Sequence, residues 1–305
     1  MYFYFDTHCD TLIKLYRSKT TLFDSNLRVN YSAFEKYAGM VQCFALYNDG
    51  SLKMQDFYDA ALLLKNECER YGKMHLCTCT ADIDKALSLG KTAAILTCEA
   101  LGNTKDFAAK HLYILKKYGY MMVGLVWNFD NPLCGGAMGE DRGLTVMGEC
   151  TLKIMEQLSI IPDVSHMNEK SFDDVMNIFC KPIVASHSNS AFVHHHKRNL
   201  SDNNIKKIIK NGGIIGLNVY PDFVGGKNTA DDIIAHSNHI ISLGGETNIC
   251  IGADLDCIDT AVSGIENAGD IQKLFDVFAR HNYPKKLIKD ISFNNIYNIF
   301  KKYEI

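Results

Sequence analysis

Tyr2-Phe3-Tyr4-Phe5-Asp6-Thr7-His8-Cys9-Asp10 sets four apolar residues directly against a His-x-Asp pair. A short apolar run closed by polar residues reads as a buried strand of a parallel sheet. No basic stretch precedes the run and no small-residue cleavage site follows it, so a first strand is expected, not a signal peptide. His8 and Asp10 are two apart and, on extended backbone, point to the same side. One imidazole nitrogen and one carboxylate on one side of a strand end suit zinc. Alone, such a tripeptide is weak evidence, because the spacing arises by chance.

The pattern recurs along the chain. Apolar runs lie at 2–5, 40–46, 93–97, 121–126, 160–164, 182–185, 214–219 and 249–253. Between most of them are segments with helical spacing: 56–71 (Phe57, Ala60, Ala61, Leu64 and Cys68 on one face), 106–118, 147–158, 169–179, 202–210 and 230–243. Asn168-Glu169 and Ser201-Asp202 provide helix starts, and Gly212-Gly213 a stop. Residues 82–90 read as an extra helix after a short strand at 75–79. Eight strands alternating with helices, without a second composition zone, predict one (β/α)8 TIM barrel spanning 1–305. A doubly wound open sheet is the alternative, but its Gly-x-Gly-x-x-Gly loop is absent after the first strand.

Composition narrows the function. A chain of 305 residues with 47% hydrophobic content can bury a large core. A net charge of -3 gives no electrostatic footprint for nucleic acid or an anionic membrane, and neither is expected as a partner. The longest apolar stretches are far too short to span a bilayer. The 11 cysteines are odd in number, lack a Cys-x-x-Cys pair, and several (Cys43, Cys98, Cys250) sit inside apolar runs. They are expected to be reduced thiols in a cytoplasmic protein.

The informative residues follow the strands. His8 and Asp10 follow the first, Glu99 follows 93–97, His166 follows 160–164, His187 follows 182–185, and Asp254 closes 249–253. In a barrel these positions gather at the C-terminal face, where catalytic groups sit. Each has a bland reading: a hydrogen-bonded strand-end histidine, a helix N-terminal glutamate, an N-cap aspartate. Five ligand-type residues just past apolar strands are much harder to dismiss. Two histidines and a glutamate beyond His8 and Asp10 supply enough donors for a second ion, and a carboxylate can bridge two metals that share a hydroxide. Asp254 would be the natural proton acceptor. Cys9, between two ligand candidates, would point away from them.

The sequence resembles the membrane dipeptidase (renal dipeptidase) family of zinc peptidases, which share an amidohydrolase-type barrel. The matching stretches, in family order over essentially the whole chain, are Asp6-Thr7-His8-Cys9-Asp10-Thr11, Gly143-Leu144-Thr145, Asp163-Val164-Ser165-His166, Ala185-Ser186-His187-Ser188-Asn189, Lys197-Arg198-Asn199-Leu200-Ser201-Asp202, Gly216-Leu217-Asn218-Val219-Tyr220 and Ile251-Gly252-Ala253-Asp254-Leu255-Asp256. The resemblance implies two zinc ions per chain, His8 and Asp10 on one, His166 and His187 on the other, with Glu99 bridging. It implies hydrolysis of dipeptides by a metal-bridging hydroxide, with Glu99 and Asp254 as catalytic carboxylates. Arg198 would bind the substrate carboxylate, for which a bidentate fork is suited, and Asn218 and Tyr220 would line the pocket. The family resemblance is compatible with a homo-oligomer.

Two positions depart from the family pattern. Where the family commonly has a histidine thought to stabilise the oxyanion, Val126-Trp127-Asn128-Phe129 places Trp127. An indole N–H is a donor only and cannot carry positive charge. Either Trp127 donates instead, another group does, peptide hydrolysis is weak, or Trp127 is a hydrophobic wall. The alternatives it raises are a related amidohydrolase acting on another amide, a lactam or an ester, and a catalytically weak metal-binding homologue. The second departure is Cys257, where the family often has glycine. His194-His195-His196 is the most conspicuous local feature, and a solvated loop is its favoured reading over an accessory metal patch.

Overall fold

A computed structural model describes residues 1–303. Nine parallel strands form: β1 Phe3–Asp6, β2 Gly39–Tyr47, β3 Met74–Cys77, β4 Thr92–Glu99, β5 Tyr120–Gly124, β6 Ile161–Asp163, β7 Val184–Ala185, β8 Ile214–Leu217 and β9 Ile249–Ile251. Every expected strand is present. Pairing runs β1–β2, β2–β4, β4–β5 and onward in order to β9, which returns to β1. The sheet is therefore closed, a (β/α)8 barrel, and the open doubly wound alternative is excluded.

The ninth strand has a geometric origin. β4 is eight residues long and buried throughout, whereas β5 pairs only with its Leu96–Cys98 end. β3 takes the vacant edge at Thr92–Ile95, and the register shifts between Leu96 and Thr97 where the partner changes. This is the short strand anticipated at 75–79, lying slightly earlier than the sequence suggested.

Helices cover the outside, as the spacing requires. Ser201 accepts from the backbone N–H of Asn204 and Asn168 from that of Ser171, so both expected caps form. The helix Asp202–Asn211 ends at Gly212 in the left-handed region, φ 70°. One helix is shorter than its sequence pattern: it spans His111–Tyr118, not 106–118. Asp106 instead accepts the N–H of Met54, capping the start of the long helix Met54–Tyr71. Phe5 in β1 packs on Phe293 and Phe300 of the C-terminal helices, where burying one such ring contributes about 2–3 kcal/mol.

Two glycines permit the closest approaches inside the barrel. A Cβ on Gly252 would lie 1.7 Å from the carbonyl oxygen of Ser186, and one on Gly216 would lie 1.9 Å from the same atom. Thr7 Oγ1 donates to that carbonyl at 2.6 Å and to Ile251 at 3.0 Å. Backbone cannot yield there as a flexible side chain could. Gly252→Ala should therefore destabilise the fold by about 3 kcal/mol or more, measurable by urea denaturation; a shift below about 0.5 kcal/mol would contradict this packing.

Candidate active site

Seven strand ends meet at one mouth of the barrel. His8 and Asp10 follow β1, Glu99 ends β4, Trp127 and Asn128 follow β5, His166 follows β6, His187 follows β7, Asn218 follows β8 and Asp254 follows β9. The closed parallel sheet brings them together, because all its strands run the same way. His8, Asp10, Glu99, His166, His187 and Asp254 are all buried.

Glu99 sits at the centre with its two oxygens divided. Oε1 lies 2.6 Å from His166 Nε2 and 3.8 Å from His187 Nε2. Oε2 lies 3.6 Å from His8 Nε2. His8 Nε2 is also 3.5 Å from Asp10 Oδ2 and 3.7 Å from Asp254 Oδ1. Glu99 belongs to two sets of metal-capable atoms, Glu99–His166–His187 and His8–Asp10–Glu99, each with its atoms within 4.8 Å of one another, and His8, His187 and Asp254 form another. The structure thus brings together the residues expected in each set, with Glu99 common to both.

Neighbours aim the histidines. His166 Nδ1 meets Asn128 Oδ1 at 2.9 Å, and His187 Nδ1 meets Ser186 Oγ at 2.7 Å. Ser186 in turn donates its hydroxyl and its backbone N–H to Asp163. With Nδ1 occupied, each ring presents Nε2 to the cluster, where the two Nε2 atoms are 2.9 Å apart. The sequence does not mark Asn128, Asp163 and Ser186 as orienting groups: only Ser186 is adjacent to a ligand, and Asn128 and Asp163 meet partners that follow other strands.

The backbone is distorted around this cluster. Ala100, His166, Asp254 and Asp256 have positive φ values of 61°, 70°, 60° and 73°. For residues other than glycine such conformations cost roughly 1–3 kcal/mol each and concentrate at functional sites. His166 is a ligand candidate, Ala100 follows another, and Asp254 is the proton-acceptor candidate, so the unusual backbone falls where these groups enter the mouth.

The remaining site residues divide. Asn218 is fully buried and donates to Asp254 Oδ2 at 2.8 Å, leaving Oδ1 toward His8. Its amide therefore fixes one oxygen of Asp254. Arg198 is buried, donates to the carbonyl of His187, and lies over the Phe223 ring; its Nε has no hydrogen-bond partner. It also lines a cavity of about 360 Å³ shared with His166, Ser188 and Asn168. Trp127 stands 6.1 Å from the His166 ring and 5.4 Å from Tyr47, as one wall. Tyr220 is not drawn into the cluster by a contact: its hydroxyl donates to Asp222. Cys9 donates to the carbonyl of Cys43, away from the ligands. His196 accepts from the N–H of Arg198 and packs on Phe223, while His195 is exposed. Among the described residues no metal-capable cluster includes the triple histidine.

The electrostatics show what this mouth requires. Burial raises the Glu99 carboxyl to about 7, with Asp10 and Asp254 pushing the same way and His8 opposing. Burial likewise lifts Asp254 to about 6, reinforced by Asp10. Burial alone would depress His8, but Asp10 and Glu99 outweigh it and hold its pKa well above the ordinary value. Burial, aided by the positive charges around them, keeps His166 and His187 far below theirs, in the neutral form that ligates metals.

Not all buried carboxylates here are alike. Asp163 and Asp256 accept several donors each, whereas both oxygens of Asp10 and His8 Nε2 have no hydrogen-bond partner. Orphaned buried acceptors beside like charges are costly unless cations meet them. Three-ligand N/O sets with an open side are the donor chemistry of catalytic zinc, so the residues present fit two divalent ions.

Comparison with known proteins gives the family and the fold. An uncharacterised dipeptidase of Schizosaccharomyces pombe is 29% identical over 230 residues, covering 71% of this chain. This chain matches 54% of that relative, about half its length. The barrel superposes with a TM-score of 0.87 on a metallo peptidase from Rhodobacter sphaeroides liganded with a phosphinate mimic of the dipeptide L-Ala-D-Ala, at 22% identity, over 98% of this chain and 99% of that one. A dipeptidase AC metallo peptidase gives the same score at 24% identity, over 99% of both chains. No helix among the described residues is long and apolar enough to cross a membrane. The sequence profile of the membrane dipeptidases matches residues 2–305, and the chain belongs to that family, peptidase family M19.

Proposed function

We propose that this protein is a binuclear zinc dipeptidase that hydrolyses small peptides carrying a free C-terminal carboxylate. The observation that carries this reading is the division of Glu99, one oxygen to His166 and His187 and the other to His8. Two bound ions would polarise the scissile carbonyl and supply a hydroxide nucleophile near neutral pH. The chain's own groups do the rest. Arg198, buried with an unpaired Nε, offers a planar cation to the substrate carboxylate. Asp254, its Oδ2 held by Asn218 and its Oδ1 turned toward His8, is placed to take a proton and pass it to the leaving amine. The ligand of the Rhodobacter sphaeroides metallo peptidase, a phosphinate mimic of the dipeptide L-Ala-D-Ala, supports a dipeptide as the substrate class.

Chelation should abolish dipeptide hydrolysis and zinc add-back restore it, while full activity in metal-free protein would sink the mechanism. The affinity for zinc should rise with pH. Metal must displace protons from His8 and Glu99, whose raised values keep them protonated in acid, whereas His166 and His187 are already proton-free. Titration calorimetry should show affinity climbing as pH rises through about 7; a flat profile would contradict the ligand assignment.

Arg198→Lys keeps the charge but loses the fork. It should raise KM for dipeptides by about 10- to 100-fold and leave C-terminally amidated substrates unaffected. Equal effects on both would remove Arg198 from carboxylate recognition. Trp127→His introduces a group able to carry charge beside His166, and should raise kcat on dipeptides by about tenfold or more with little change in Tm. Unchanged kinetics would leave Trp127 as a wall only.

A further inference from the structure

Beyond the two ligand sets, the described residues contain two more metal-capable groups at this mouth, His8–His187–Asp254 and Asp10–Asp254–Cys257, and only the second carries a thiol. The segment after β9 delivers it. Asp254 and Asp256 both have positive φ, 60° and 73°, which folds the chain back over the barrel mouth. Asp256 is then pinned by Thr11 Oγ1 at 2.7 Å, by the N–H groups of Arg28 and Val29 at 3.0 and 3.2 Å, and by Lys14 at 3.3 Å. With Asp256 anchored, Cys257 Sγ comes within 4.8 Å of carboxylate oxygens of both Asp10 and Asp254.

A lone cysteine near carboxylates would mean little. Here Asp10 is 2% exposed and neither of its oxygens has a hydrogen-bond partner, so Cys257 faces a buried, unpartnered carboxylate. Cys257 itself lies at the exposed rim, beside Asp10, the residue its group shares with the His8–Asp10–Glu99 set. No other thiol belongs to such a group among the described residues.

We infer that Cys257 is an additional ligand, a thiolate, for the divalent ion held by His8, Asp10 and Glu99. The inference rests on the binuclear reading above. On binding, the S–H bond breaks, the sulfur lone pair forms the bond to the metal, and the proton leaves to solvent; nothing is oxidised or reduced. A soft sulfur donor biases this position toward Zn2+ and Cd2+ and away from Mn2+ and Mg2+, which favour all-oxygen surroundings. The other position, built from His166, His187 and Glu99, carries no sulfur and no such bias. The two positions of one site would therefore differ in metal preference.

The test replaces zinc with Co2+ in the full chain and records the near-ultraviolet spectrum with the ion count. Wild-type protein with two Co2+ bound should show a thiolate-to-cobalt charge-transfer band, absent from Cys257→Ser and Cys257→Ala. Cd2+ affinity at one of the two positions should fall by about tenfold or more in both variants, with Mn2+ affinity unchanged. Two bound Co2+ without the band, or a band that survives Cys257→Ala, would overturn the thiolate ligand and leave the binuclear site standing. A thiol that only donates a hydrogen bond to Asp10 would give that same bandless spectrum. Failure of wild-type protein to bind two ions would remove both readings.

Discussion

Three carboxylates, Asp10, Glu99 and Asp254, are buried around a single histidine, His8, at the mouth of the barrel. Like charges this close repel strongly where water is excluded, and the raised carboxyls of Glu99 and Asp254 register that repulsion together with burial. The protein does not relieve it with a lysine. Arg198 is the buried cation nearby, and it turns to a backbone carbonyl and an aromatic face. The arrangement is one that cations complete, and much of the surrounding structure serves to hold it open.

The fold contributes direction and rigidity. Every strand runs the same way, so one end of the sheet collects all the polar residues that follow the strands. Close contacts at Gly216 and Gly252 against the Ser186 carbonyl tighten the barrel directly below His187. Positive-φ backbone falls at His166 and Asp254, where these groups enter the mouth. Hydrogen bonds from Asn128, Ser186 and Asn218 fix two imidazoles and one carboxylate. Such supporting contacts decide geometry to within fractions of an ångström, on which metal affinity and rate depend.

Much of this was legible in the sequence, and the reason is physical. Strand periodicity is short-range, so the eight apolar runs could be located, and the rule that catalytic groups follow barrel strands placed His8, Asp10, Glu99, His166, His187 and Asp254 together. Long-range competition was invisible. Asp106 reads as the start of a helix, but it caps Met54 instead, across a separation that no local pattern encodes. The pairing of β3 along half of β4 likewise depends on β5 being short. Orienting residues such as Asn128 were hidden because their partners lie on other strands. Tyr220 was grouped with the pocket by position, while its hydroxyl is engaged by Asp222. Cys257 was visible only as a departure from pattern, and its place beside Asp10 needed the backbone path of residues 254–256.

Anomalous diffraction at the zinc edge, from crystals grown with zinc, would decide the matter most directly. Two peaks should flank the Glu99 carboxylate, roughly 3.5–4 Å apart, one beside His166 and His187 and the other beside His8 and Asp10. A single peak, or density only at the His194–His196 loop, would contradict the two-metal site on which this reading of the chain depends.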